Sequence, residues 1–327
     1  MFLSSMGYSK RSSLLRSFPK LLRAADVFMS NKVLQSVVYH SWTLALFTWS
    51  DIKTTLIPVS VFGLGTAPVC PSTPISSSLK AVLWLWSILL QFNLNNQTAS
   101  PGEDAKNKPW RPIPSGRISL RNAIILRWIS VAYCCILSLY LRTTTLIPSI
   151  LFTCLVVLYN FFGWDENGFI KNLMNGFGYS AMALGTVLAA ECSSPSESIT
   201  EVFNFAKYTE LIVFFLILVT TIHAQDFQDI EGDRETGRNT LPMMFPVLSR
   251  VTMLLFLPLW TTLVANFCNP PIWLGTLYLA LSLIVGVRFF VYRRSQDDEW
   301  TYFAYNIWLS FTILHLCLYK TQRHEYI

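Results

Sequence analysis

Nine apolar runs, most of them close to the length of a bilayer crossing, constrain this chain more than any other feature. They cover residues 52–69, 79–94, 120–141, 146–162, 169–190, 208–224, 245–267, 272–292 and 302–318. A helix needs about 20 mostly apolar residues to cross the hydrocarbon core. The fold expected is therefore an all-α integral membrane protein, a bundle of about nine transmembrane helices. A further stretch, 33–47, is apolar but interrupted by Tyr39, His40 and Ser41. It reads as an amphipathic helix lying in the interface.

Composition agrees with a lipid-facing surface. Of 327 residues 52% are hydrophobic and only 13% charged. A soluble domain carries about 25% charged residues. The net charge of +6 does not point to nucleic acid, because the basic residues sit in short stretches between apolar runs. Seven cysteines occur at irregular spacing without a C-x-x-C pair, which removes support for zinc or redox chemistry. They read as small buried hydrophobes.

Positive charge also orients the chain. Lys10, Arg11, Arg16, Lys20 and Arg23, then Lys106, Lys108, Arg111, Arg117 and Arg121, then Arg293 and Arg294 fall on one side of the expected bundle. The opposite loops, 191–201 and 267–273, contain no Lys or Arg. The positive-inside rule places the first set in the cytosol. The division expected is a basic tail and interfacial helix over 1–50, a transmembrane catalytic domain over 51–320 and a short tail over 321–327. The endoplasmic reticulum is the default membrane, with membrane lipid the surrounding partner and no obligate protein partner evident.

Two polar segments break the apolar pattern, one after the second run and one after the sixth. Polar residues at a membrane boundary are costly and usually functional. In the second segment Asp226, Asp229 and Asp233 are spaced i, i+3 and i+7, which puts them on one face of a continuous helix. Clustered carboxylates repel one another unless a cation sits among them. Oxygen ligands without His or Cys suit Mg²⁺, which is commonly held by carboxylates together with substrate phosphates. Arg234 and Arg238 follow and can hold phosphate oxygens. A merely solvated loop explains the charges but not the spacing of the aspartates.

The first segment is poorer in acids. It offers Asn96, Gln97, Glu103 and Asp104, of which Asp104 and Asn96 are the better ligand candidates. Ser100-Pro101-Gly102-Glu103 has the pattern of a capping box, so Ser100 and Glu103 are expected to start a short helix. A rigid proline-rich turn follows, with Lys108 and Arg111 placed to bind phosphate.

These segments resemble the signatures of the UbiA superfamily of membrane prenyltransferases. Its second signature, D-x-x-D-x-x-x-D followed by G-x-x-T-L-P, is complete in Asp226, Asp229, Asp233, Gly237, Thr240, Leu241 and Pro242. The tail of its first, N-K-P-x-R-P, is complete in Asn107, Lys108, Pro109, Arg111 and Pro112. The head of the first departs. Asn96 and Asp104 stand where the family has Asn and Asp, but Gln97 and Ser100 replace two acids. This form, with Asp51-Ile52-Lys53-Thr54-Thr55-Leu56-Ile57-Pro58 and Phe62-Gly63, is similar to a fungal branch that includes membrane-bound terpene cyclases. The resemblance implies Mg²⁺ as cofactor, farnesyl or geranylgeranyl diphosphate as substrate and a helical bundle around a central cavity. It also implies that Lys171 and Asn175 face the diphosphate.

Two activities fit. In a cyclase the allylic cation attacks its own distal double bonds and then loses a proton. In an aromatic prenyltransferase it attacks a phenolic acceptor. A transporter is a distant third, because the acids cluster at a helix end beside basic turns rather than along a path. Trp84, Trp86, Tyr133, Tyr159, Phe161, Phe162 and Tyr179 are candidates to face the cation, with packing or an interfacial belt as their default role. His223 could take a proton, but reads first as a polar histidine at a helix end.

Overall fold

The computed structural model describes residues 32–68, 72–191, 209–235 and 237–325, with the side chains of Glu103, Lys106, Asn107 and 320–325 outside that description. The basic tail expected over 1–25 and the C-terminal tail expected from 321 likewise lie outside it, apart from the backbone up to Glu325. The chain divides into two compact units, Met1–Phe47 and Thr48–Ile327. The described part of the first unit is helical: α1, Lys32–Thr48, runs unbroken through Tyr39, His40 and Ser41.

The second unit carries the bundle. Its named helices are α2 (Ile57–Thr66), α3 (Pro74–Ala99), α4 (Pro101–Asn107), α5 (Leu120–Leu141), α6 (Leu146–Phe161), α7 (Gly168–Ala190), α8 (Thr209–Thr221), α9 (Ile230–Glu235), α10 (Leu241–Met244), α11 (Leu248–Cys268), α12 (Ile272–Val291) and α13 (Ser295–Glu325). Among the described residues there is no named strand, and a single parallel bridge joins Asn167 to Asn239. Eight helical stretches are long and apolar enough to cross a bilayer. They coincide with the last eight of the nine predicted runs.

The first predicted run, 52–69, comes out differently. It is a π turn, Ile52–Leu56, leading into the ten-residue helix α2. That is short of the roughly 20 residues a full crossing requires. One face of α2, with Val59 and Phe62, is almost wholly enclosed, while Ile57 and Val61 are exposed on the other. Gly63 makes this possible: a Cβ there would collide with the side chain of Thr186 on α7.

Helix α7 is the centre of the packing, in contact with α2, α3, α6 and α8. Gly185 lies against the ring of Trp84, which leaves no room for a side chain. The outer helices show large apolar groups to the exterior, among them Ile136 and Tyr140 on α5 and Ile272 and Trp273 on α12. Exposed apolar surface on this scale suits lipid and not water.

Several buried polar groups inside the bundle find partners, which a low-dielectric interior favours. Trp84 Nε1 donates to Ser138 Oγ at 2.8 Å, and Trp308 Nε1 to Thr261 Oγ1 at 2.8 Å. Arg250 on α11 grips both oxygens of Asp298 on α13, at 2.9 and 2.8 Å, and also donates to the carbonyls of Phe289 and Tyr292. These contacts lock the last three membrane helices together at one end.

Candidate active site

The second unit encloses a cavity of about 890 Å³. Its lining changes character along the helices that build it. From the C-terminal end of α3 inward the lining residues are Asn96, Asn93, Phe92 and Leu89. From the N-terminal end of α7 inward they are Lys171, Met174, Asn175, Gly178, Tyr179 and Met182. The cavity is therefore polar where both helices meet the polar segments and mostly apolar deeper in. Phe152, Leu155, Val156 and Tyr159 of α6 and Tyr302 of α13 add to the lining.

Both polar segments contribute to the polar end. Asp104, Lys108 and Arg111 come from the first, and Asp226, Asp229, Asp233 and Arg238 from the second. The two segments use the same device. Arg111 Nη1 holds Asp104 Oδ1 at 2.6 Å, and Lys171 Nζ holds Asp226 Oδ1 at 2.8 Å. In each carboxylate the other oxygen, Oδ2, is buried and has no hydrogen-bond partner. An unsatisfied buried carboxylate oxygen costs free energy unless something positive reaches it.

Burial acts on these groups as well. Burial pushes the Asp104 carboxyl up from its ordinary value, against the pull of Arg111 and Lys108. Burial also raises Asp229, with Lys108 opposing it and Asp233 adding to the effect. Loss of water is the main cause in both, and it disfavours the ionised forms. Among the described residues no three His, Cys, Asp or Glu side chains converge into a closed cage for a metal. The donor set suits a cation bound through one or two carboxylates and completed by phosphate oxygens and water, the usual mode of Mg²⁺.

The aspartates of the second segment do not share one continuous helix, as their spacing predicted. Asp226 ends a 3₁₀ turn, Ile222–Asp226; Asp229 sits in a turn; Asp233 lies in α9. The backbone is carried across these breaks by Asp229 N–H donating to Asp226 O at 3.3 Å and Asp233 N–H to Asp229 O at 2.9 Å. The helix loosens as it leaves the apolar core, yet all three side chains still line the cavity.

A strap fixes the second segment to the start of α7. Asn239 N–H donates to Glu166 O at 2.8 Å, and Gly168 N–H to Asn239 O at 2.9 Å. Gly168 is required here, because a Cβ would run into the backbone of Thr240 and Leu241. Asn167 caps α7, its Oδ1 accepting from the N–H groups of Phe169 and Ile170. This junction brings Lys171 to Asp226 across 55 positions of sequence. Asp165 in the same loop accepts from Arg238 Nε at 3.0 Å, and Arg238 reaches Asp233 at 3.5 Å.

Of the residues singled out from sequence, Asn96, Asp104, Lys108, Arg111, Lys171, Asn175, Asp226, Asp229, Asp233 and Arg238 line the cavity. Arg234 does not; it is exposed, although its neighbour Asp233 lines the cavity. Ser100 sits at the N-cap position of α4 but makes no side-chain cap bond, and it lines the cavity instead. His223 is buried away from the cavity lining, beside Ser249 O and Thr252 Oγ1 at 3.2 Å and Asn172. It is the polar helix-end histidine of the simpler reading.

Among the aromatic candidates only Tyr159 and Tyr179 line the cavity. Trp84 is core, Trp86 bonds Thr48, and Tyr133, Phe161 and Phe162 face outward. Sequence reasoning missed Phe92, Phe152 and Tyr302 as lining residues. Asp51, named only as the start of the segment similar to the fungal branch, was given no site role, yet it lines the cavity too.

Comparison with known proteins accords with this geometry. A diterpene cyclase of Hericium erinaceus is 31% identical over 288 residues, covering 83% of this chain and 86% of that protein. The fumagillin beta-trans-bergamotene synthase of Aspergillus fumigatus is 29% identical over 276 residues, covering 82% and 89%. A polyprenyl transferase of Hericium erinaceus is 30% identical over 286 residues, covering 82% and 91%. In fold, a UbiA homologue from Archaeoglobus fulgidus bound to DMAPP and Mg²⁺ aligns with a TM-score of 0.61 at 13% identity, covering 84% of this chain and 98% of that one. The sequence profile of the UbiA prenyltransferase family spans residues 55–309, which contain both polar segments and most of the cavity wall, though not residues 49–54. An integral membrane bundle with these two signatures facing one cavity belongs to the UbiA prenyltransferase family.

Proposed function

We propose that this chain is a membrane-bound terpene cyclase, which ionises a linear prenyl diphosphate, farnesyl or geranylgeranyl, and lets the carbocation close on its own double bonds. The observation that carries the reading is the paired polar end, where Asp104 and Asp226 each keep one buried oxygen without a partner. Asp226, Asp229 and Asp233 would hold Mg²⁺ on one side, and Asp104 with Asn96 on the other. Bound there, Mg²⁺ would supply positive charge to the departing diphosphate.

The chain's own residues do the rest. Lys108, Arg111, Lys171, Asn175 and Arg238 line the same end and can bind phosphate oxygens. The apolar wall keeps water from the cation once the C–O bond breaks. Tyr159, Tyr179, Phe92, Phe152 and Tyr302 offer ring faces to it. Similarity to two cyclases supports closure of the chain on itself over transfer to an acceptor. Similarity to a polyprenyl transferase makes aromatic prenyl transfer the second reading. The basic loops support a cytosolic position for the motif segments, with the endoplasmic reticulum as the membrane.

The test uses microsomes carrying the full chain, given Mg²⁺ and farnesyl or geranylgeranyl diphosphate without an acceptor. Gas chromatography–mass spectrometry should reveal a cyclic hydrocarbon that disappears with EDTA. Consumption of the diphosphate only when a phenol is added would establish the transferase instead.

A further inference from the structure

Asp51 stands outside both acidic segments, yet it lines the same cavity. It occupies a junction in the backbone, where a 3₁₀ turn, Trp49–Asp51, meets the π turn Ile52–Leu56 at φ −99° and ψ 2°. A regular α-helix would turn only one face to the cavity. Here every residue from Trp49 to Thr55 lines it. π turns are rare and often accompany functional sites.

Asp51 is within electrostatic reach of Arg111, Lys108, Asn93 and Asp104. All four belong to the acid-poor first segment or to the helix that leads into it. Asp51 makes no ion pair among the described residues, and the Arg111 guanidinium beside it is already engaged by Asp104. Asp104 Oδ2, in the same wall, belongs to a residue only 7% exposed and lacks a partner. On this side the first segment supplies Gln97 and Ser100 where the family pattern has acids, so Asp104 is the one signature carboxylate it retains.

We propose that Asp51 is a carboxylate ligand of the divalent cation on the acid-poor side, and restores there a charge that Gln97 and Ser100 do not carry. The inference rests on the diphosphate-ionising reading above. A carboxylate near the apolar floor would instead suit a proton acceptor; Asp51 is also within electrostatic reach of Tyr179 and Tyr302, so product analysis must separate the two roles.

The test counts cations. The full chain in lipid nanodiscs is titrated with Mn²⁺ in the presence of farnesyl or geranylgeranyl thiodiphosphate, which binds without ionising readily. Free Mn²⁺ is read by electron paramagnetic resonance. Asp51→Asn should lose one class of bound Mn²⁺ or weaken it at least about tenfold, while Asp51→Glu keeps it. A melting curve checks that each variant is folded, and Asp51→Ser carries the same expectation should Asn fail to insert. Unchanged Mn²⁺ number and affinity in a folded Asp51→Asn protein would overturn the proposal, and an altered product mixture from that protein would reassign Asp51 as a proton acceptor. Absence of Mn²⁺ binding in the unaltered chain would instead remove the diphosphate reading on which the inference stands.

Discussion

The first and second polar segments solve one problem with different means. Each presents an aspartate held through a single oxygen by a basic residue, Asp104 by Arg111 and Asp226 by Lys171. Their surroundings differ. The second segment brings two further aspartates, and its basic partner comes from a distant helix. The first has an amide and a hydroxyl in the corresponding places, and its basic partner lies seven residues away in the same segment. The second side is thus built by tertiary contact and the first mostly by local chain. An acid-rich side can concentrate positive charge by itself, whereas an acid-poor side must borrow a carboxylate or bind its cation more weakly.

The comparison breaks most visibly at Lys171. Lys171→Met leaves Asp226 buried without its partner, at a cost of up to about 3–5 kcal/mol that protonation of the carboxyl lessens. Thermal melting of the metal-free protein should fall accordingly, and Mg²⁺ with a thiodiphosphate should recover part of the loss. If melting is unchanged, Asp226 is not held as a charged pair. Next in size is Asp229→Ala, which should lower turnover by about 100- to 1000-fold, on the scale of losing one preorganised electrostatic contact, with membrane insertion intact. Near-normal turnover would shift the main site to the first segment.

Gly168→Ala tests the strap rather than the ligands. The added Cβ meets the backbone of Thr240 and Leu241, so the start of α7 must move. Overpacking of this kind costs about 1–3 kcal/mol, and turnover should fall although no lining residue has changed. Full activity would show that the strap does not position Lys171. The smallest effect is expected at Ser100→Ala. No cap bond is lost, so stability should change by no more than about 0.5 kcal/mol. A larger drop in melting would mean that the hydroxyl caps α4 after all, and a loss of turnover alone would give Ser100 a role in the cavity.

Some of the site was legible in advance because its residues carry their chemistry in type and spacing. Asp226, Asp229 and Asp233 were visible as a set, and they do line one cavity, although the local helix is broken between them. Arg234 and Arg238 looked equivalent in sequence. Only Arg238 turns inward, held by Asp165 and Asp233. Tyr133 and Tyr179 were both plausible aromatic faces, yet one is half exposed on the outside and the other lines the cavity beside Thr55. Nothing in local pattern separates these pairs, since each lies on a helix or loop whose rotation is set by neighbours far away in sequence.

The sequence by itself determined that this chain is a membrane bundle with two polar segments suited to a cation and a phosphate. Run length and side-chain chemistry are local properties, and lipid leaves a helical backbone few alternatives. Only the tertiary structure decided that the first apolar run breaks into a π turn and a short helix, that Lys171 meets Asp226, and that Asp51 lines the same cavity. A cavity wall is assembled from several helices, and its membership depends on how small residues such as Gly63, Gly168 and Gly185 let those helices approach.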